Sequence, residues 1–557
     1  MAGGRSVSVG GGCYISLAIA FFAGATFVVA LPPLSLAPMA LLAFATLFVA
    51  LDKRIARWAF VIGWAFGLGQ FAVGISWIAE SFYIDADRFG ALAVPAVAAL
   101  AAVLALFPAF AALIYAKLVR LRAFSGAFAR AVVFAAAWTG GEWLRGHVLT
   151  GFPWNLAAYT LADLTAMRQP AAWVGSYGLS FLVVLAGGWL GAGLLGRGRA
   201  RALPIGLAFA LVAVTWGAGA WQASRQSPPE SGIRLRIVQG NIPQAEKWGP
   251  GSRERMLETY LRLSERSGRF DVLLWPETAF PGFLDEDSSA LARIAEILPE
   301  GAILLTGAPD RVNAENGTRY LNTIQALDQR GEILTRYAKH HLVPFGEYVP
   351  LREWLPLPRI VESLGDFTPG PGPRTLALSG VPPVAPAICY EVIFPGHVID
   401  RLLRPEWIFN ATNDAWFGTT FGPEQHLASA RMRAVEEGLP VIRAANTGIS
   451  SVIDARGNVI RRLDLDRAGI VDAALPSALP PTLYSRIGDL ALPPLILMVW
   501  LGTAFGMRYA SGSAPSDVSR TSTKRSTKRG MSLWQMGRRV ALSTEHEKNR
   551  QDDRNGN

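Results

Sequence analysis

Val384-Ala385-Pro386-Ala387-Ile388-Cys389-Tyr390-Glu391 is a short apolar run that ends on a thiol. Runs of this length bounded by turn residues read as buried β-strands. Asp271-Val272-Leu273-Leu274-Trp275, Ala302-Ile303-Leu304-Leu305-Thr306 and Trp407-Ile408-Phe409-Asn410 read the same way, and Ile233 to Gln239 alternates at period two. Between them, Arg253 to Arg269 has a helical pattern with Met256, Leu257, Tyr260, Leu261 and Leu263 on its apolar side. Strands alternating with helices predict a layered α/β domain, here over 223–487.

Outward from this domain the composition changes. The chain has 557 residues, 51% of them hydrophobic and only 17% charged, with mean hydropathy +0.27. Seven apolar segments, near 13–31, 34–51, 58–80, 90–117, 129–148, 172–196 and 202–222, precede the α/β domain, and one follows it at 488–507. Each approaches the roughly 20 residues that cross a bilayer, so about eight transmembrane helices are expected, seven of them in a membrane domain over 1–222. Basic residues fall in every second loop: Lys53, Arg54 and Arg57; Lys117, Arg120, Arg122 and Arg130; Arg197, Arg199 and Arg201. By the positive-inside rule these loops are cytoplasmic, and the α/β domain lies on the outer face, the periplasm of a double-membrane bacterium. The last residues, 508–557, hold 11 Lys/Arg against 5 Asp/Glu, so they carry much of the net charge of +10. They read as a disordered cytoplasmic tail; the charge is topology signal plus tail, and no nucleic-acid partner is expected.

Of the two cysteines, Cys13 and Cys389, Cys13 reads as a small buried residue. Cys389, Glu277 and Lys339 each follow a predicted strand, where α/β sheets gather ligands and reacting groups. A thiol can act as nucleophile, a carboxylate in a dry pocket can take its proton, and an ammonium can favour the thiolate and hold an oxyanion. Singly, each has a plain structural reading as a cap, a solvated lysine or a buried thiol.

The surrounding strings are Trp275-Pro276-Glu277-Thr278, Lys339-His340-His341-Leu342-Val343-Pro344-Phe345-Gly346-Glu347 and Cys389-Tyr390-Glu391. They resemble the Glu–Lys–Cys set of the nitrilase superfamily. Joined to eight spans, the Lys-x-x-Leu-Val-Pro-Phe-Gly-Glu string resembles the apolipoprotein N-acyltransferase family over about residues 10–507. The resemblance implies an α-β-β-α sandwich and a two-step exchange with no cofactor and no metal. Cys389 takes an acyl group from a phospholipid donor as a thioester. The α-amine of a diacylglyceryl-cysteine on an apolipoprotein then displaces it, in the last step of lipoprotein maturation. It implies Glu277 as base, Lys339 as oxyanion stabiliser and Glu347 as an essential neighbour. Tyr390 and Glu391 flank the nucleophile, and Trp248 lies near the substrate. It places the chain in the bacterial inner membrane.

Rival readings are a membrane-tethered amidohydrolase releasing ammonia, and a transporter whose outer domain binds ligand. A transporter needs polar residues in several spans, and Glu142 with Arg145 are the main ones present. These two are either functional intramembrane charges or an interfacial pair three residues apart on one helix face. His340 and His341 offer a Cys–His alternative, and His426 with Glu424 a weak metal motif. Two apolar stretches, Trp354 to Phe367 and Trp416-Phe417-Gly418 with Phe421, are either lids that dip into lipid or packing against the domain's own core.

Overall fold

A computed structural model describes residues 11–121, 126–226, 228–314, 317–350 and 366–491. All seven apolar runs before the α/β domain contain helix, but they differ in kind. Among the described residues, three helices are long and apolar enough to cross a membrane: Ala86–Leu118, Ala171–Leu195 and Gly198–Ala223. A fourth span exists if Ala56–Gly74 and Ser76–Tyr83, bent by 54°, count as one. Pro38–Ala50 has only 13 residues, about 20 Å at ~1.5 Å per residue. Ala127–His147 has the length but carries Arg130, Glu142 and Arg145. Apolar composition alone does not reveal such breaks and polar insertions. The run 488–507 lies outside the described residues beyond the turn Gly488–Ala491.

The helices pack on small residues. A Cβ on Gly24 would stand 1.9 Å from the Phe66 carbonyl oxygen, so glycine is what lets Gly11–Val29 and Ala56–Gly74 touch backbone to backbone. Ala171–Leu195 is the central helix, 78% buried over its apolar window, against 22% for Gly198–Ala223. The outer helix turns Phe209, Val214, Trp216 and Trp221 outward.

The α/β domain is a sandwich of two six-stranded sheets. The first is ordered β12-β1-β2-β3-β4-β5, from Gly469–Ala474, Arg234–Gln239, Val272–Leu274, Ile303–Ala314, Gly317–Leu327 and Ile333–Ala338. The second is β11-β10-β9-β8-β7-β6, from Val459–Leu463, Ser450–Ile453, Val441–Ala445, Trp407–Thr412, Val381–Ile388 and Leu376–Leu378. β1-β2-β3 and β7-β8-β9 are parallel cores with antiparallel edges. Parallel strands buried on both faces need continuous apolar runs, which is why Val272–Leu274 and Trp407–Phe409 are fully buried. Ile237, Leu274, Leu305, Ile388 and Phe409 fill the space between the sheets. Ser252–Ser264 and Ser288–Ile297 cover the first sheet, and Gly422–Glu437 covers the second. Four layers, α-β-β-α, result. The helix expected to reach Arg269 stops at Ser264.

The two regions share one contact surface. Phe417 stacks edge-on against Trp77 at 4.3 Å and sits 6.0 Å from Trp154. The Trp416–Gly418 stretch is therefore packed against the helical region and is no free lid. Glu436 accepts from the Ser176 amide at 2.7 Å and the Ser176 hydroxyl at 2.6 Å. Residues 354–365 of the other apolar stretch lie outside the described residues.

Candidate active site

Glu277 lies just beyond β2, Lys339 directly beyond β5 and Cys389 directly beyond β7. β7 runs into a one-turn helix, Cys389–Ile393, and Cys389 takes φ +48° to make the corner. A non-glycine residue there is strained, and such strain persists where the surroundings hold it. Glu391 is what holds it. Its carboxylate accepts from the amides of Ile388 (2.6 Å) and His340 (2.7 Å) and from the Tyr337 hydroxyl (2.9 Å). Burial opposes its charge, but His340 and these donors keep it below the usual glutamate range. Glu391 thus ties the Cys389 turn to the segment that follows the Lys339 strand.

On the other side, His426 bridges the Cys389 carbonyl (3.1 Å) and Asp414 (2.9 Å), and Asp414 pairs with Arg443. The Cys389 thiol, Asp414 and His426 lie within 4.8 Å of one another. Asp414 and His426 spend their polar atoms on each other, Arg443, the Thr412 hydroxyl and the Cys389 carbonyl, so the trio reads as a clamp on the turn. Glu424, paired with His426 in the sequence reading, instead binds Arg462 at 2.6 Å. His340 and His341 are also engaged elsewhere, His340 with Tyr337 and Glu391, His341 with the Thr150 carbonyl at 2.6 Å.

The Lys339 ammonium sits 2.8 Å from Glu347 and 3.6 Å from Glu277. Asn322, on β4, donates to both carboxylates at 2.8 Å and accepts from the Lys339 amide, also at 2.8 Å. Gly307 sets the height of Glu277, because a Cβ there would stand 2.6 Å from the Glu277 Cα. Burial pulls against the Lys339 charge, yet Glu347 and Glu277 hold it well above the ordinary lysine range. The Cys389 thiol moves the other way from expectation. Burial first, then the Glu277 charge, push it well above the usual range, and Lys339 only partly offsets them. The thiol therefore rests protonated at neutral pH, and any reaction through its sulfur needs a base.

Tyr390 reaches the helical region, its hydroxyl donating to the Gly151 carbonyl at 2.9 Å. That loop is held from within the helices. Arg145 donates to the Trp154 carbonyl (2.7 Å) and to that of Phe152, and Glu142 accepts from the Ala157 amide at 2.9 Å. Both charges anchor the loop beneath Tyr390. Trp248 is half-buried, one residue after the fully buried Lys247. Sequence reasoning missed Asn322, Lys247, Asp414 and Arg443. Only the neighbourhood of Trp248 offered a signal, for Lys247.

Residues 23–189 match the family "apolipoprotein N-acyltransferase N-terminal domain", and residues 234–480 match "carbon-nitrogen hydrolase". An apolipoprotein N-acyltransferase of Rhodopseudomonas palustris is 38% identical over 87% of this chain and 94% of its own length. Those of Bradyrhizobium diazoefficiens and Brucella melitensis are 41% and 39% identical, over 93% and 94% of their lengths and 87% and 88% of this chain. With both domain families in order and such coverage by named relatives, the chain belongs to the apolipoprotein N-acyltransferase family.

Proposed function

We propose that the chain N-acylates apolipoproteins. A fatty acyl group passes from a membrane phospholipid to Cys389, and from there to the α-amine of a diacylglyceryl-cysteine. The observation that supports this most is the buried Cys389 on a strained turn, in a site where Lys339 stands between Glu277 and Glu347, with Tyr390 bonded to the helical region. Glu277 takes the thiol proton as sulfur attacks the ester carbonyl. Lys339 holds the oxyanion, and the proton returns to the departing lysophospholipid. Glu347 and Asn322 fix the positions of Lys339 and Glu277. In the second half, the amine attacks the thioester, its proton leaves through Glu277, and the thiol is regenerated. Splitting the transfer replaces one hard step by two easier ones. After incubation with phosphatidylethanolamine vesicles, mass spectrometry should find one acyl chain on the Cys389 peptide, released by hydroxylamine and transferred to a diacylglyceryl lipopeptide. Release of ammonia from amides with no acyl transfer would instead make the chain an amidohydrolase.

The proposed setting is the inner membrane: eight spans, residues 223–487 in the periplasm and 508–557 in the cytoplasm. The alternating Lys/Arg loops support it. Alkaline phosphatase fused at Gly251 should be active, and fused after Arg520 inactive. The reverse pattern would put the span count out by one.

A further inference from the structure

We propose that Lys247 is a further catalytic residue, whose ammonium meets the acyl carbonyl oxygen as that oxygen becomes an anion; this rests on the acyl-enzyme chemistry above. Lys247 is 1% exposed, and its Nζ has no hydrogen-bond partner among the described residues. It is close enough to Glu277 and Cys389 for both to act on its charge. A buried amine left unpaired is costly, and its retention beside the nucleophile points to a partner that arrives with the reaction.

The segment that carries Lys247 is fixed in place. It leaves β1 through the turn Gln244–Glu246. Asn446, beyond β9, donates to the Ile242 carbonyl at 2.7 Å and accepts from its amide at 3.2 Å. Asn413, beyond β8, donates to Gln244 at 2.7 Å. β8 and β9 belong to the same sheet as β7, which ends on Cys389. The loop that carries Lys247 is thereby tied to Asn413, the neighbour of the Asp414 that stands within 4.8 Å of the thiol.

Charge balance explains why one lysine is too few. Lys339 already stands between two carboxylates, Glu277 and Glu347. With Lys247 charged, Lys339 and Lys247 face Glu277 and Glu347, while Glu391 spends its charge on the Ile388 and His340 amides and the Tyr337 hydroxyl. When sulfur bonds to the carbonyl carbon, its proton moves to Glu277 and the carbonyl π pair moves to oxygen. One anion vanishes as another appears, so the balance is kept. Collapse then breaks the bond to the leaving oxygen, which takes the proton from Glu277. Without Lys247 the dry site carries an uncompensated negative charge throughout, which opposes the oxyanion.

Burial, only partly offset by Glu277 and Cys389, lowers the Lys247 ammonium to about 8. Lys339 and Glu347 stand behind Glu277, and Asp414, His426 and Arg443 behind Cys389. The cation is present below that value and lost as pH rises through it. Acyl-enzyme formation should therefore fall off on the alkaline side.

The test uses the full chain in detergent and p-nitrophenyl butyrate, following the burst of p-nitrophenolate. This ester bypasses the phospholipid. A wild-type chain that acylates from the ester and not from phospholipid would count against the proposed donor and leave Lys247 standing. Lys247→Met should slow the burst at least ~10²-fold with KM little changed. Lys247→Arg keeps the charge, should retain most of the rate and should move the alkaline limb upward. A burst in Lys247→Met as fast as wild type, or an alkaline limb in Lys247→Arg that stays in place, would overturn the role.

Discussion

Cys389→Ala is expected to remove acyl transfer completely while leaving the chain folded. The residue lies at the end of β7, 7% exposed, and alanine removes only the sulfur from a turn that Glu391 and His426 hold through backbone atoms. Stability should change by less than about 1.5 kcal/mol, as for a small volume change. Cys389→Ser should retain at most a trace. Burial already pushes the thiol well above its usual range, and a hydroxyl is harder still to deprotonate in the same dry place. Thermal unfolding and radiolabelled lipopeptide acylation measure the two quantities. An alanine variant that still transfers acyl groups would end the covalent mechanism.

Glu277→Gln should cost about 10²–10⁴-fold in acyl-enzyme formation, the usual worth of a positioned base. It should also change the shape of the pH dependence. Because the resting group is a neutral thiol, the variant depends on the small thiolate fraction. That fraction rises about tenfold per pH unit below the thiol's own range. Between pH 6 and 7.5 the residual burst should climb accordingly, more steeply than the wild-type burst does. A variant rate that rises no more steeply with pH than the wild type's would mean that Glu277 is not the proton acceptor.

Glu277→Gln is the cleaner variant because the Lys339–Glu347 pair at 2.8 Å survives it. Lys339→Met is not. It leaves Glu277 and Glu347 joined only through Asn322, two buried carboxylates with no cation between them. Breaking such a pair costs roughly 3–5 kcal/mol, so its loss of activity mixes chemistry with folding.

The sequence by itself determined the local facts. Apolar runs marked β2, β7 and β8, period-two alternation marked β1, and strand ends placed Glu277, Lys339 and Cys389. These are legible because secondary structure and strand-end position depend on neighbours in the chain. Tertiary structure decided what depends on neighbours in space. It placed Asn322 from β4 between two carboxylates, Asp414 and His426 behind the thiol, and the loop held by Arg145 and Glu142 beneath Tyr390. It reversed the expected thiolate, because desolvation of a buried sulfur outweighs one ammonium already shared by two carboxylates. It also separated continuous spans from bent, short and polar ones. Hydropathy sums composition over a window, whereas the break at Ile75 and the 13-residue length of Pro38–Ala50 are set by how the helices pack.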